Sequence, residues 1–138
     1  MTGVQTCALP ISTDATGEAP GAGPPPPGTI NLLVVLPEPV GDAALVNLLA
    51  TATEAKVQAL LESGVAGTGT ASDAVCVVCP DLAADPAADR ERGRFGGPRS
   101  YWGGRVARAV HEAVRRGAAA DRDRAVARGW PRPPHRPG

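Results

Sequence analysis

The chain is poor in aromatic residues, and it lacks both a net charge and a long apolar run. Phe, Trp and Tyr together make up 3% of the 138 residues, so it has few of the aromatic platforms on which single-stranded nucleic acids stack. The formal net charge is zero, although the second half holds almost all the arginine. No apolar run approaches the ~20 residues that a membrane-spanning helix needs. We therefore expect neither nucleic acid nor a membrane as a partner.

Cysteine and histidine are also scarce, with three and two residues respectively. Cys76 and Cys79 have Cys-x-x-Cys spacing, but they lie in an apolar, strand-like run and no second pair completes a zinc site. At an odd separation along a strand, their side chains point to opposite faces. We predict that both are small buried hydrophobic residues, and we expect no metal site.

The two ends of the chain are predicted to lie outside the folded domain. Residues 1–11 match the translation of a common short-read sequencing adapter, so we set them and Cys7 aside. Residues 12–27 are rich in glycine and proline, a composition typical of a disordered linker. Residues 119–138 form an Arg/Pro-rich tail that we also expect to be disordered. What remains, residues 28–118, is interpreted as part of an α/β domain whose gene was truncated.

Two strands alternate with two helices in the remaining stretch. The predicted elements are a strand over 28–36, a helix over 43–63, a strand over 74–78 and a helix over 102–116. Asp42 is the expected N-cap of the first helix, while Gly64 and Gly117 are the expected stops of the two helices. The unbroken apolar run of the first strand indicates burial on both faces. Two strands bury little by themselves, so the predicted fold class is a β-α-β-α fragment of a larger layered α/β domain.

Two further features are predicted to lie on the surface. The segment 80–97 is dominated by Asp, Arg and Gly, a composition typical of a surface loop. His111 falls well off the apolar stripe of the second helix, which indicates a solvated side chain and not a catalyst. Neither feature enters the predicted site.

Lys56, the only lysine of the chain, lies where an apolar residue is expected. At 100° per residue it falls within an apolar helix face that includes Leu49, Ala52, Ala59 and Leu60. An unpaired ammonium in the core would cost several kcal/mol. Either the long stem of Lys56 lies on apolar surface with its head in water, the commoner case for lysine, or the head has an acidic partner or binds a substrate. Asp73 is the first candidate partner, although an Asp at this junction commonly binds only nearby backbone.

Several short motifs occur in order at compatible spacing. They are Gly28-Thr-Ile-Asn31, Val46-Asn47, Thr51-Ala-Thr-Glu-Ala-Lys-Val-Gln-Ala-Leu60, Gly67-Thr-Gly-Thr-Ala-Ser-Asp-Ala-Val75 and Gly97-Pro-Arg-Ser-Tyr-Trp-Gly-Gly104. Together they make residues 28–118 resemble the adenosylcobinamide amidohydrolases of corrinoid salvage. The chain departs from that pattern at Ala71-Ser72, where Gly-Thr is expected, and in its first 27 residues, which replace a further segment of the family.

The resemblance implies an enzyme that hydrolyses the amide between the aminopropanol arm and the corrin ring of adenosylcobinamide. The implied products are adenosylcobyric acid and 1-amino-2-propanol, and the implied compartment is the cytoplasm. The implied partner is a small-molecule corrinoid, and cobalt enters only as part of that substrate, so no separate cofactor is expected.

Amide hydrolysis needs an attacking oxygen, donors for the developing oxyanion and a proton for the departing amine. In one mechanism Asp73 activates a water while Lys56 stabilises charge or protonates the amine. In the other, Thr70 or Ser72 is the nucleophile and Lys56 is its base. Glu54 is a further catalytic candidate, although its polar stripe faces away from Lys56. The candidate substrate-binding residues are Asn31, Asn47, Thr68, Gly69 and Ser72.

Two other functions stay open for this sequence. One is a corrinoid-binding or structural fragment without catalysis. The other is a phosphate-binding loop at 67–73, where glycine permits close approach of the backbone to a ligand. The second is disfavoured because this loop leads into a strand, whereas phosphate-binding loops lead from a strand into a helix.

Overall fold

The structure is a computed structural model that describes the backbone of residues 3–8 and all atoms of residues 29–65, 67–81 and 91–127. Its elements in chain order are β1 (Gly3–Ala8), β2 (Ile30–Val35), α1 (Asp42–Glu62), β3 (Ala74–Val78) and α2 (Tyr101–Ala127). The predicted β-α-β-α succession is confirmed by the last four of these elements. No helix in the described part of the chain is long and apolar enough to cross a membrane.

β2 and β3 are parallel neighbours at the centre of the fold. Their register runs from Asn31 opposite Ala74 to Val35 opposite Val78. α1 connects them, so β2, α1 and β3 form a βαβ unit. The parallel pairing brings the amino ends of both strands to the same edge of the sheet.

β1 differs from the sequence-based expectation for residues 1–27. Gly3–Ala8 pairs antiparallel with β2, from Gly3 opposite Val35 to Ala8 opposite Ile30, and completes the strand order β1-β2-β3. The physical reason is the otherwise unpaired edge of β2, whose N–H and C=O groups any neighbouring extended segment can satisfy. The predicted linker over 12–27 lies outside the described residues. The expected disorder of the 119–138 tail is wrong for residues 119–127, which are helical, and the rest of that tail lies outside the described residues.

α1 begins and ends within one residue of its predicted bounds. Asp42 is its first helical residue and Gly41 is the N-cap, so the expected Asp42 cap is wrong by one position. In the first turn Asp42 still complements the helix dipole. Gly64 follows the C-cap Ser63 with φ of 73°, the left-handed conformation in which glycine ends a helix at no steric cost. The predicted stop at Gly64 is therefore confirmed.

α2 is longer than predicted, because Gly117 does not end it. Ser100 supports its beginning, since the Ser100 Oγ accepts a 3.0 Å hydrogen bond from the Gly103 N–H. The helix continues to Ala127, with Ala118 buried one turn beyond Val114 on the same stripe. Arg122 donates a 2.9 Å hydrogen bond to the Ser63 carbonyl at the end of α1. These contacts with the rest of the fold outweigh the cost of about 1 kcal/mol for a glycine inside a helix.

The core lies between the sheet and the two helices, which cover the same face of the sheet. From the sheet it takes Ile30, Leu32, Val34 and Leu36, and from the helices chiefly Ala44, Leu48, Ala52, Ala59, Leu60, Val106, Val110 and Val114. The expected burial of β2 on both faces is wrong for this structure. Leu33 and Val35, which point away from the helices, are each 42% exposed. Cys76 is likewise exposed and Cys79 is half-buried, so the prediction of two buried cysteines is also wrong.

The segment 80–97 is a surface loop only in part. Residues 82–90 lie outside the described residues, but Gly93 and Gly96 are buried. A Cβ atom on Gly96 would lie 2.7 Å from the Leu48 backbone nitrogen. One on Gly103 would collide with the Gly97 carbonyl oxygen. The glycines around 96–103 therefore allow this loop to pass against α1 and the first turn of α2, which the sequence had not indicated.

Candidate functional site

Lys56 and Asp73 meet where α1 lies over the amino ends of β2 and β3. Lys56 is on the sheet-facing side of α1, and Asp73 immediately precedes β3. The Lys56 Nζ is 2.5 Å from the Asp73 Oδ2, and the two side chains are only 7% and 11% exposed. The structure thus favours the acidic-partner explanation of Lys56 over the alternative in which its head reaches water.

The other carboxylate oxygen of Asp73 is also occupied. Its Oδ1 accepts a 2.5 Å hydrogen bond from the Thr70 hydroxyl and a 2.9 Å hydrogen bond from the Ile30 N–H. One carboxylate therefore links the helix, the loop and the first residue of β2. We call Lys56, Thr70 and Asp73 the Asp73 cluster.

The hydrogen bonds of Asp73 set its charge. Burial by itself would raise the pKa of the Asp73 carboxyl, because desolvation disfavours the charged form. The hydrogen bonds from Lys56, Thr70 and the Ile30 backbone outweigh that effect and lower the pKa below its ordinary value of 3.8. Asp73 is accordingly an ionised acceptor at neutral pH, placed between a cation and a hydroxyl.

Gly69 is required by the close approach of the loop to the Asp73 cluster. A Cβ atom on Gly69 would collide with the Asp73 Oδ2 and would lie 2.7 Å from the Lys56 Nζ. Only a residue without a side chain lets the backbone pass this near to the ion pair. Gly69, predicted to bind substrate, has this packing role.

Three more residues predicted to bind substrate, Thr68, Ser72 and Asn31, lie at the edge of the sheet that carries the cluster. The Thr29 hydroxyl donates a 2.9 Å hydrogen bond to the Ser72 carbonyl, which ties the loop to the start of β2. The Ser72 side chain is exposed, and Thr68 is half-buried in the same loop. Asn31 is exposed on the opposite sheet face from the helices, in register with Ala74, the residue after Asp73. Loop 67–73 and Asn31 therefore lie at one edge of the sheet.

Glu54 and Asn47 are not brought to the Asp73 cluster. Glu54 is exposed and lines a groove of about 700 Å³ between α1 and α2, together with Gln58, Pro98 and His111. Asn47 is exposed near Gly97, whose Cβ would lie 3.9 Å from the Asn47 Oδ1. Both residues belong to the side of α1 that faces α2 and the 91–100 loop, as the polar stripe of the helix had indicated for Glu54.

The groove between the helices contains a contact that sequence reasoning missed. His111 Nε2 is 2.7 Å from Glu62 Oε2, and Gln58 donates a 2.8 Å hydrogen bond to Glu62 Oε1. The hydrogen bond from Gln58 lowers the pKa of the Glu62 carboxyl, and the hydrogen bond from His111 makes a smaller contribution in the same direction. The spacing of Gln58 and Glu62 was a readable signal, since residues four apart meet on a helix. The His111 contact depends on the packing of α2, and nothing local in the sequence indicates it.

A second missed contact joins α1 to the 91–100 loop. Thr51, which is 2% exposed, donates a 2.9 Å hydrogen bond to the Gly96 carbonyl.

Among the described residues, no group of three or more His, Cys, Asp or Glu side chains is placed to hold a metal ion. The polar contacts of the described site are therefore organised by the Asp73 carboxylate.

The fold and the Asp73 cluster define an α/β domain with a partly buried Lys-Asp-Thr site at the amino edge of a parallel strand pair. A family model described as adenosylcobinamide amidohydrolase matches residues 2–125. The chain therefore belongs to the adenosylcobinamide amidohydrolase family, which confirms the resemblance carried by its motifs.

Two curated relatives have the same description. A protein from Halobacterium salinarum named adenosylcobinamide amidohydrolase is 42% identical over 109 residues, which are 78% of this chain and 43% of the relative. A protein of that name from Methanosarcina mazei is 34% identical over 93 residues, or 65% of this chain and 46% of the relative. The chain thus spans less than half the length of each of these relatives. No solved structure matches it.

Proposed function

We propose that this chain carries an amidohydrolase site for adenosylcobinamide. The reaction is hydrolysis of the amide between the aminopropanol arm and the corrin ring, with adenosylcobyric acid and 1-amino-2-propanol as products, in the cytoplasm. The observation that supports this proposal most directly is the Asp73 cluster, in which a cation and a hydroxyl share one ionised carboxylate. Membership in a family whose curated relatives are named for this activity supports it independently.

In the proposed mechanism Asp73 accepts the proton of the attacking oxygen. Its Oδ1 already accepts the hydrogen of the Thr70 hydroxyl at 2.5 Å, so Thr70 is either the attacking group or the group that positions a water. The Thr70 hydroxyl bonds to Asp73, an arrangement that favours Asp73 over Lys56 as the proton acceptor.

Lys56 supplies the positive charge in this mechanism. As the oxygen adds to the amide carbon, the Lys56 ammonium stabilises the developing oxyanion and then donates a proton to the departing amine as the C–N bond breaks. Lys56 is then neutral, and the Asp73 carboxyl group that took up the proton lies 2.5 Å from its Nζ through Oδ2, so transfer of one proton from the carboxyl group to the amine restores both charges. Protons and bonds balance over the cycle, with water as the only co-reactant.

The activity is tested by incubating adenosylcobinamide with the chain, and with the full-length Halobacterium salinarum relative, and quantifying released 1-amino-2-propanol by mass spectrometry. In the relative, the substitutions equivalent to Asp73→Asn and Lys56→Met should each lower turnover by about 10²-fold or more, because each removes an acid–base or charged group. The change equivalent to Glu54→Gln tests the remaining catalytic candidate, and we expect unchanged turnover because Glu54 lies away from the Asp73 cluster. Full turnover in the Asp73 or Lys56 variant would remove that residue from the mechanism.

A non-catalytic corrinoid-binding role is the second outcome of the same experiment. A shift of the visible corrinoid spectrum on mixing, with no aminopropanol released by either protein, would support binding alone and contradict hydrolysis. The Thr70→Ala change separates the two forms of the mechanism. An acyl-enzyme mass that the parent forms and the variant lacks would assign Thr70 as the nucleophile, whereas retained turnover would assign the attack to water.

A further inference from the structure

The face of the sheet that points away from both helices is apolar and uncovered in the described structure. We call this surface the open face, and define it by Asn31, Leu33, Val35, Ala74, Cys76 and Val78. The parallel register sets these residues side by side in pairs, Asn31 with Ala74, Leu33 with Cys76 and Val35 with Val78. Leu33 and Val35 are each 42% exposed and Val78 is 39% exposed. Their side chains therefore form one continuous patch.

The composition of the open face is that of a buried surface. A sheet with one solvated face usually alternates apolar residues inside with polar residues outside. Here the inward residues of β2 are Ile30, Leu32 and Val34, yet the outward positions are also apolar, apart from Asn31. Contiguous exposed apolar patches on soluble proteins mark interaction sites or aggregation-prone surfaces. The open face therefore needs a partner.

The lengths of the relatives indicate what that partner is. This chain accounts for 43% of the Halobacterium salinarum relative and 46% of the Methanosarcina mazei relative. More than half of each relative is polypeptide with no counterpart in the match, which is enough for a complete further layer of an α/β domain. We propose that the open face is the docking surface for that family segment, which packs an apolar face onto Leu33, Val35, Cys76 and Val78.

The one polar residue of the open face lies at its functional end. Asn31 follows Ile30, whose N–H binds Asp73, and pairs in register with Ala74. A layer that covers the apolar part of the face would thus also approach the edge that carries the Asp73 cluster. Docking depends on the exposed apolar residues of the sheet and on the further polypeptide of the relatives. It therefore holds whether or not Lys56 and Asp73 are catalytic.

Cys76 provides a direct readout, because it is exposed at the centre of the open face. In a Cys7→Ser, Cys79→Ser background, Cys76 is the sole thiol, and its rate of alkylation reports whether the face is covered. The test compares this thiol with a single cysteine placed at the equivalent position of the full-length Halobacterium salinarum relative, which carries the further polypeptide in its own chain. We expect that cysteine to be alkylated about tenfold or more slowly than Cys76 of this chain, since a covered thiol is not accessible.

A charge placed on the open face should disturb docking. In the relative, the change equivalent to Leu33→Asp would bury an unpaired carboxylate, and we expect alkylation of the cysteine at the Cys76 position to become about tenfold faster or more. The matched control is Val46→Asp on α1, since Val46 is 72% exposed and lies off the open face. The control should keep the slow alkylation of the parent relative. In this chain both changes should leave the circular dichroism spectrum unchanged, because Leu33 and Val46 are exposed.

Three results would overturn the proposal. One is equal alkylation of Cys76 in this chain and of its counterpart in the relative, and another is equal alkylation in the Leu33→Asp and Val46→Asp variants of the relative. The third is a stable homodimer of the chain that protects Cys76 by itself, which would assign the face to a second copy. A Lys56→Met variant of the relative that keeps the slow alkylation but shows no amidase activity would keep the two proposals apart.

Discussion

Asp73 contributes more to the site through its geometry than through its acid strength. An ion pair out of water is favourable only if its remaining hydrogen-bonding groups are also satisfied, because the loss of hydration is otherwise not compensated. The Asp73 carboxylate meets this condition, since both of its oxygens are bonded and three separate segments supply the donors. Moving any one of those segments would therefore disturb the other two.

Gly69 offers a test of this arrangement at the level of one residue. Gly69→Ala would place a methyl group against the Asp73 Oδ2 and 2.7 Å from the Lys56 Nζ. We expect the free energy of unfolding to fall by about 1–3 kcal/mol, the usual cost of overpacking a tight site. Urea denaturation of the whole chain measures it.

Gly97→Ala is the matched control for Gly69→Ala. The φ of Gly97 is not positive, so alanine can adopt its backbone conformation, and its Cβ would meet nothing closer than the Asn47 Oδ1 at 3.9 Å. The stability of this variant should stay within about 0.5 kcal/mol of the parent. Equal unfolding free energies for the two variants would mean that the loop does not lie against the ion pair in solution.

The residues of the site could be predicted from the sequence only where a residue type did not fit its neighbours along the chain. Lys56 is out of place on an apolar helix face, and that mismatch made an acidic partner one of the explanations, beside the commoner case of a head that reaches water. Asp73 was identifiable because it ends the next loop of the same helix–loop–strand unit. The Ile30 N–H and the pairing of Glu62 with His111 were not predictable, because each depends on segments that are distant in sequence and meet only through packing.

At the level of elements, the strands and helices that alternate in the chain were predictable from periodicity and glycine stops. β2, α1 and β3 each lie within about two residues of the expected bounds. β1 was not predicted, because its pairing depends on a free edge of β2 and not on its own composition. The end of α2 was misplaced for a related reason, since a glycine stop is only a propensity that tertiary contacts can override.

The length of α2 can be tested by comparing two glycines. Gly117 lies inside α2, so Gly117→Ala should raise the free energy of unfolding by about 0.5–1 kcal/mol through better helix propensity. Gly64 has φ of 73°, so Gly64→Ala should lower it, because alanine is strained in that conformation. Thermal and urea unfolding measure whether each variant raises or lowers the free energy of unfolding. A loss of stability in both would place the end of α2 at Gly117, as the sequence alone had indicated.

For the whole molecule, the sequence predicts that two strands and two helices form only part of a larger domain, and this stays a prediction. The structure shows that both helices cover one face of the sheet, while the other face is apolar and exposed in the described residues. A sheet whose core lies on one side only is stabilised by few layers. Its stability should therefore depend heavily on single buried interactions such as the Lys56–Asp73 pair.

Acid unfolding of the whole chain tests this dependence. The pKa of Asp73 is lowered in the folded state from an ordinary value of 3.8, so its contribution to stability is complete above that value and is lost as the pH falls through the lower folded pKa. At neutral pH, Asp73→Asn should lower the free energy of unfolding by about 3 kcal/mol, because it leaves the buried Lys56 ammonium without its charged partner. The difference in unfolding free energy between the parent and Asp73→Asn should shrink as the pH falls.

Glu62 is the control for this acid titration. Its pKa is also lowered in the folded state, from an ordinary value of 4.5, but its side chain is 42% exposed and water screens its contacts. Glu62→Gln should therefore lower the free energy of unfolding at neutral pH by less than Asp73→Asn does. This smaller loss should also shrink as the pH falls. Urea denaturation at constant ionic strength, repeated from neutral to strongly acidic pH, measures both curves. If the difference in unfolding free energy between the parent and Asp73→Asn stays constant with pH, the partners of the Asp73 carboxylate do not hold it ionised. The Asp73 cluster would then not be a main source of the stability of the fold.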